Sequence, residues 1–371
     1  MNGIFISVVV TFYDNPIIHM SNITDLIKKS HHEKPSTLDI KLIEKKYNWV
    51  FEKNKNCIIS PDSDGIMSAL LMSKYLNWKV KGFYDGKILL FHKDIIPKDC
   101  IFLDMEIAIS SIKSVGHHLV VPYQDIYKEF GHGAFENCLS PNQIREYDKK
   151  FFRLKFPMAT VHFLISILHY HCEIKLSERA IYPLLFTDGL FNVLFSYPEN
   201  VADWFNFLKI NSKDNPLNIF FYQNKNTITH IMKGMQGFFD KRDECGGNKK
   251  IGRGDKLIIS NKNGDHINLS KSSNFYNIDE ENTKNIIKFI KIICGEFEWE
   301  FNENDFVFND FNLIKFEKDS LNSTDNNKKN LTKENVKEIY KKKIFSSAQT
   351  AGSTFEFTYL GNLEENKDLF Y

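Results

Sequence analysis

Residues 57–69 read Cys57-Ile58-Ile59-Ser60-Pro61-Asp62-Ser63-Asp64-Gly65-Ile66-Met67-Ser68-Ala69. A short apolar run that ends in Pro-Asp-x-Asp-Gly and passes into a second apolar run, Ile66 to Leu76, predicts a strand, a tight turn and a buried helix. Gly65 permits the turn. Asp62 and Asp64, spaced i, i+2, can aim both carboxylates at one point beside the helix N-terminus, whose partial positive charge favours them. Either aspartate alone is also an ordinary helix N-cap.

Working outward, Lys79 to Phe83, Ile88 to Phe91, Cys100 to Leu103 and His118 to Val121 read as strands. Met158 to His169 and Ala180 to Phe186 read as buried helices. Strands alternating with helices predict an α/β fold with a parallel sheet covered by helices on both faces. After about residue 220 the pattern changes. Gly246-Gly247 and Gly252-x-Gly254 are interleaved with Lys249, Lys250 and Arg253, a grouping that offers a phosphate cradle or a basic surface loop. Lys256 to Ile259 is strand-like, Thr283 to Ile293 helical, Asp319 to Asn330 a polar loop, and Lys343 to Leu360 β-like. This divides the chain into an N-terminal extension (1–48), a main domain (49–215) and a smaller α+β C-terminal domain (225–371).

The bulk properties exclude several classes. With 371 residues, 42% hydrophobic and 26% charged, the chain has the composition of a globular protein. Its 48 Lys+Arg and 47 Asp+Glu leave a net charge of +1, so any polyanion site is a local patch. The 6 cysteines form no C-x-x-C pair, which argues against a zinc ribbon or a disulfide scaffold. No apolar stretch is long enough to cross a membrane. The apolar start, Met1 to Phe12, lacks a basic n-region and a small-residue cleavage site, which points to a cytoplasmic protein. His31-His32 lies in a charged, turn-like segment that suits solvated histidines better than metal ligands.

In an open parallel sheet, ligands bind beyond the carboxyl ends of the strands. Asp62 and Asp64, then Asp104 in Phe102-Leu103-Asp104-Met105, then His117 and His118 after Gly116, all follow strand-like runs. Asp188, in Leu184-Leu185-Phe186-Thr187-Asp188-Gly189, follows an apolar helix. Several carboxylates at one point repel one another unless a cation is bound, and hard oxygen donors with imidazole suit manganese or a similar divalent ion.

This ordered set resembles the DHH phosphoesterase superfamily. Ser60-Pro61-Asp62-Ser63-Asp64-Gly65 is similar to its first motif, Asp104 to the second, and Gly116-His117-His118 stands at the name-giving Asp-His-His. Lys155-Phe156-Pro157-Met158-Ala159-Thr160 with Thr187-Asp188-Gly189 looks like the fourth. The resemblance covers about residues 50–200. It implies that Asp62 and Asp104 hold one metal and that Asp64, Asp104, His117 and Asp188 hold another, with His118 facing the substrate phosphate. The catalytic residues would be Asp104 and His118. The implied reaction is hydrolysis of a phosphodiester or phosphoanhydride by metal-activated water, with Mn²⁺ or Mg²⁺ as cofactor. The implied substrate is a nucleotide, an oligonucleotide or single-stranded nucleic acid. Two departures stand out: Ile58 and Ser60 occupy positions where the family often has a His and an Asp, and Gly116 replaces the Asp of Asp-His-His.

Other residues carry weaker readings. Arg145 is a candidate phosphate ligand and otherwise a helix-surface arginine. Phe151, Phe152 and Phe156, near Lys149, Lys150, Arg153 and Lys155, suit either base stacking or the core. A haloacid-dehalogenase-type phosphatase also begins with a strand ending in Asp-x-Asp-Gly, but Pro61 interrupts the apolar run. An EF-hand fails because Ser73 stands where position 12 needs Glu. A non-catalytic binding or scaffold protein on the same fold is the alternative that the departures at Ile58, Ser60 and Gly116 favour.

Overall fold

The structure, a computed structural model, describes residues 23–131, 133–223, 227–246, 255–325, 327–342, 344–360 and 366–371. The apolar start at Met1 to Phe12 and the glycine-lysine stretch from Gly247 to Gly254 lie outside the described residues.

Helices α1 (Ile23–Glu33) and α2 (Ile40–Lys46) lead into β1 (Asn56–Ile59) and α3 (Ser63–Leu76). β1 is buried on both faces, with Cys57 and Ile59 joining one apolar cluster and Ile58 another, as expected of a central parallel strand. α3 begins where Asp62 Oδ1 accepts the Gly65 N–H at 3.2 Å, and it ends at Asn77, whose left-handed conformation (φ +56°) returns its N–H to the last turn. Gly65 packs so tightly on the end of β1 that a β-carbon would land on the Ser60 carbonyl oxygen.

β2 (Lys79–Tyr84), β4 (Ile101–Leu103), β5 (Lys113–Val115) and β6 (Cys138–Leu139) complete a parallel array in the order β2-β1-β4-β5-β6. The strand expected at His118 to Val121 instead lies at Lys113 to Val115. The histidines follow it outside the strand, with a bend at His117, where the Gly116 N–H bonds Leu139 O and fixes the exit from β5. β3 (Ile88–His92) is antiparallel to β2 across the Asp85-Gly86-Lys87 turn, so the sheet is not parallel throughout.

Helices α4 (Thr160–Leu168), α5 (Ile181–Phe186), α6 (Leu190–Ser196), α7 (Pro198–Phe207) and α8 (Ile228–Asp243) follow. Then come β7 (Leu269–Ser272), β8 (Phe275–Ile278), α9 (Glu280–Phe297), β9 (Phe311–Asn322), α10 (Lys333–Lys341), β10 (Ser346–Ala351) and β11 (Thr354–Leu360). β9 pairs antiparallel with β3, and β11 and β10 continue beyond it. The described C-terminal strands thus extend the same sheet. The loop expected from Asp319 is overtaken by β9, because Asp319 to Asn322 pair with Thr354 to Phe357 of β11. Lys256 to Ile259 forms no strand. Among the described residues no helix is long and apolar enough to cross a membrane.

The final strands also reach the far side of the parallel array. The Ala108 N–H bonds Phe345 O at 2.6 Å, Ser347 N–H bonds Glu106 O at 3.4 Å, and Gln349 N–H bonds His118 O at 3.1 Å. β10 is thereby stitched to the loops that follow β4 and β5.

Candidate metal centre

The parallel order puts β1, β4 and β5 side by side, so their carboxyl ends open at one edge. Asp62 and Asp64 leave β1, Asp104 leaves β4 and His117 leaves β5. Asp188 approaches from the short 187–189 turn between α5 and α6. Two of these residues adopt left-handed backbone, Asp104 at φ +63° and Asp188 at φ +52°. Aspartate tolerates that region better than branched or bulky residues do, and non-glycine residues are held there only where the surroundings compel it.

His117 is the hub. Its Nδ1 lies 3.6 Å from both Asp64 Oδ2 and Asp104 Oδ1, and its Nε2 lies 3.1 Å from Asp188 Oδ2. Thr160, the first residue of α4, supports the group from beneath. Its hydroxyl donates to Asp104 Oδ1 at 2.8 Å and stands 2.9 Å from His117 Nδ1. The Thr160 and Val161 N–H groups both donate to Asp64, at 2.6 and 2.9 Å, as expected for a carboxylate at a helix N-terminus. Asn142 fixes the loop by donating to His117 O at 2.7 Å.

Two trios bring ligand atoms within 4.8 Å of one another: Asp64, His117 and Asp188, and Asp104, His117 and His118. Asp62 joins neither. Its Oδ1 is committed to capping α3, and it stands at the rim beside Asp104. His118 stacks on His117 with ring centroids 3.8 Å apart and lines the cavities on both sides of the cluster. Arg145 stays apart from the cluster and from the surface alike. It is fully buried, donates to Asp203 at 2.7 Å and is boxed by the rings of Tyr147, Trp204 and Phe207, so it is a structural cation that cannot contact a substrate. His31 is exposed, as expected, and its Nε2 also meets Asp203.

Burial and mutual repulsion dominate the electrostatics of the cluster. Burial, then the charge of Asp188, lifts Asp64 to about 6. Burial, then Asp64 and Asp62, pushes Asp104 well above the usual carboxylate range. Burial works to deprotonate His117, but hydrogen bonds to Asp104 and Asp188 outweigh it and raise the imidazole. Burial, then His117, lowers His118 to about 3, so its ring is neutral at pH 7. Carboxylates crowded at this cost are relieved by a divalent cation, and the oxygen-rich donor set with imidazole fits Mn²⁺ or Mg²⁺.

Glu106, two residues beyond Asp104, is a buried acid that the motif reading passes over. Its Oε1 accepts the N–H groups of His118 and Leu119, the latter at 2.9 Å, and so shapes the histidine loop. It also explains Gly116: a β-carbon there would lie 2.7 Å from the Glu106 carboxyl carbon. Glu106, just beyond β4, thus fills the space that a side chain at position 116 would need. Gly116→Asp is expected to destabilise the fold by about 2–3 kcal/mol through overpacking and like-charge contact. A thermal melt should show the loss, and Glu106→Gly in the same chain should recover part of it. The i, i+2 spacing of Asp104 and Glu106 was the available signal for this residue; Thr160 and Lys155 fall within the Lys155-to-Thr160 stretch quoted above, but their contacts at the site come only through tertiary packing.

Comparison of the chain with family models, with curated proteins and with solved structures gives no match.

Proposed function

We propose that the chain is a divalent-cation-dependent phosphoesterase that hydrolyses a nucleotide or oligonucleotide phosphoester. The observation that carries this reading is the convergence of Asp64, Asp104, His117 and Asp188 from four separate segments onto one point, with Asp62 and His118 beside it. A purely structural role gives no reason to bury Asp64 and Asp104 against one another with the more exposed Asp188 beside them. Asp64, His117 and Asp188 would hold one cation, and Asp104 with the histidines would hold or share a second. When bound, such cations activate water and stabilise charge on a phosphoryl group.

The chain's own side chains do the rest. Thr160 holds Asp104 and His117 in register. His118, neutral and facing both cavities, is placed to donate a hydrogen bond to a phosphate oxygen. Lys256 and Lys87 add positive charge along the cleft, of about 440 Å³, that runs from Asp62 and Asp104 past Ser260 to Ser346.

The test is cleavage of a short 5′-labelled oligonucleotide with Mn²⁺, Mg²⁺ or EDTA. Turnover that requires the metal supports the reading. No turnover and no Mn²⁺-induced rise in melting temperature would leave the scaffold alternative standing.

The same groups set a pH dependence. Asp64 holds its proton up to about 6 in the metal-free fold but only to 3.8 in an ordinary setting. The folded state therefore binds more protons in that window, and the metal-free chain loses stability as pH rises through it. His117, with a raised pKa, acts in the same direction: its contribution is complete below the ordinary imidazole value of 6.5 and is lost as pH climbs past it. Cation binding needs these groups deprotonated. The increase in melting temperature on adding Mn²⁺ should therefore be larger at pH 8 than at pH 5.5, which differential scanning fluorimetry can measure.

A further inference from the structure

The cluster opens on a second cavity, of about 730 Å³, on the side away from the lysine-lined cleft. Its floor is His117, His118 and Asp188. Lys155 stands next to the floor, and Phe152 and Tyr197 form the outer wall. The cavity is larger than a phosphate or pyrophosphate requires, and its lining combines the aromatic rings of Phe152 and Tyr197 with the charged Arg153 and Glu199.

Lys155 is the informative residue. It is half-buried, and among the described residues its ammonium has no carboxylate partner within ion-pair distance; Asp188 and Glu106 act on it only through space. Its Nζ sits 5.1 Å above the centre of the Phe152 ring. Removing an ammonium from water without pairing it is costly, and a phosphate entering beside His118 supplies the missing partner. Tyr197 lies at the entrance, 59% exposed, between α6 and α7. An exposed aromatic ring above a cavity that already holds a cation and a second ring matches the way stacking platforms and cationic grooves hold nucleotides. Phe151 is buried in the core away from the cavity; Phe156 also lines the cavity but is almost fully buried, which leaves Phe152 as the more exposed ring of that segment there.

We infer that this cavity receives one nucleoside monophosphate unit of the substrate, its phosphate held by Lys155 and its base against Tyr197 and Phe152. The inference rests on the phosphoesterase reading for its substrate class, since the cavity shares His117, His118 and Asp188 with the metal cluster. It goes further by assigning recognition to the base as well as to the phosphate, so that inorganic polyphosphates are poorer ligands than nucleotides.

The experiment is calorimetric titration of the full chain, with Mn²⁺ present, against adenosine 5′-monophosphate and against pyrophosphate. It is repeated for Tyr197→Ala, Tyr197→Phe and Lys155→Gln. Loss of the stacking ring is expected to weaken the nucleotide about 5- to 150-fold. The ratio of nucleotide to pyrophosphate affinity should fall with it, and Tyr197→Phe should restore that ratio. Lys155→Gln is expected to weaken both ligands about tenfold, as loss of a charge-assisted phosphate contact does. Equal affinity for the two ligands in the parent chain, or a nucleotide affinity indifferent to Tyr197→Ala, overturns the inference even if metal-dependent hydrolysis is observed. Tyr197-dependent nucleotide binding in a chain that cleaves nothing upholds it while the hydrolytic reading falls.

Discussion

Asp104→Asn is expected to reduce Mn²⁺-dependent hydrolysis by about 10³-fold, corresponding to the loss of roughly 4 kcal/mol of transition-state stabilisation. Asp104 is the acid at the centre: it lies beside Asp62, 3.6 Å from His117, and receives the Thr160 hydroxyl. The variant keeps the shape and one oxygen to accept that hydroxyl, so the fold is expected to survive. Stability gives the independent readout. Burial and its neighbours disfavour the Asp104 carboxylate, so the metal-free variant should melt a few degrees higher than the parent at pH 8. It should also gain much less on adding Mn²⁺. Parent-like hydrolysis in Asp104→Asn would remove Asp104 from the chemistry. A lower metal-free melting temperature would mean that its charge stabilises the fold.

The second large effect belongs to a residue with no side chain. Gly65→Ala places a methyl group on the Ser60 carbonyl oxygen, a backbone atom that cannot rotate away. Either α3 must rise off the end of β1 or β1 must bend. The expected loss is about 3 kcal/mol or more, the upper end for overpacking in a tight site. The change also pulls the Gly65 N–H away from Asp62 and moves Asp64, which sits in the same turn and takes both N–H groups at the start of α4. Stability and Mn²⁺ binding should therefore fall together, by denaturant titration and by calorimetry. Ser63→Ala, in the same turn, loses only a 3.3 Å contact to Thr187 and should cost under about 1 kcal/mol. A Gly65→Ala chain as stable as the parent would show that the turn tolerates a wider spacing than the packing implies.

What was legible in the sequence follows from where each signal resides. The strand at Cys57 and the strand ending at Leu103 carry unbroken apolar runs because both of their faces are covered, and the helix to Leu76 is apolar except at Ser68, Ser73 and the exposed Lys74. Asp64, Asp104 and Asp188 could be picked out because each comes just after an apolar strand or helix, and His117 stood out through its Gly-His-His pattern. Lys113-Ser114-Val115 could not be recognised as a strand. Three residues carry no period, and the pairing of β5 with β4 and β6 creates it. Asp319 to Asn322 are polar and became strand because β11 arrives from more than thirty residues away to pair with them. Arg145 reads as a surface arginine until three rings from later elements close around it. Lys155 and Glu106 are marked by local patterns, but their contacts with Phe152 and with the His118 and Leu119 N–H groups form only in the folded chain.

The stitching of β10 to the loops after β4 and β5 has a consequence for the order in which a ribosome delivers this protein. Every residue of the Asp–His cluster has been synthesised by Asp188, yet the hydrogen-bond partners of the loops at Glu106, Ala108 and His118 lie at Phe345, Ser347 and Gln349. A nascent chain therefore carries the crowded carboxylates for well over a hundred further residues before the strand that closes their flank exists. The parallel array can form early, but the cavity wall is a late event that joins distant parts of the chain, the kind of contact that slows folding and leaves open sheet edges exposed meanwhile.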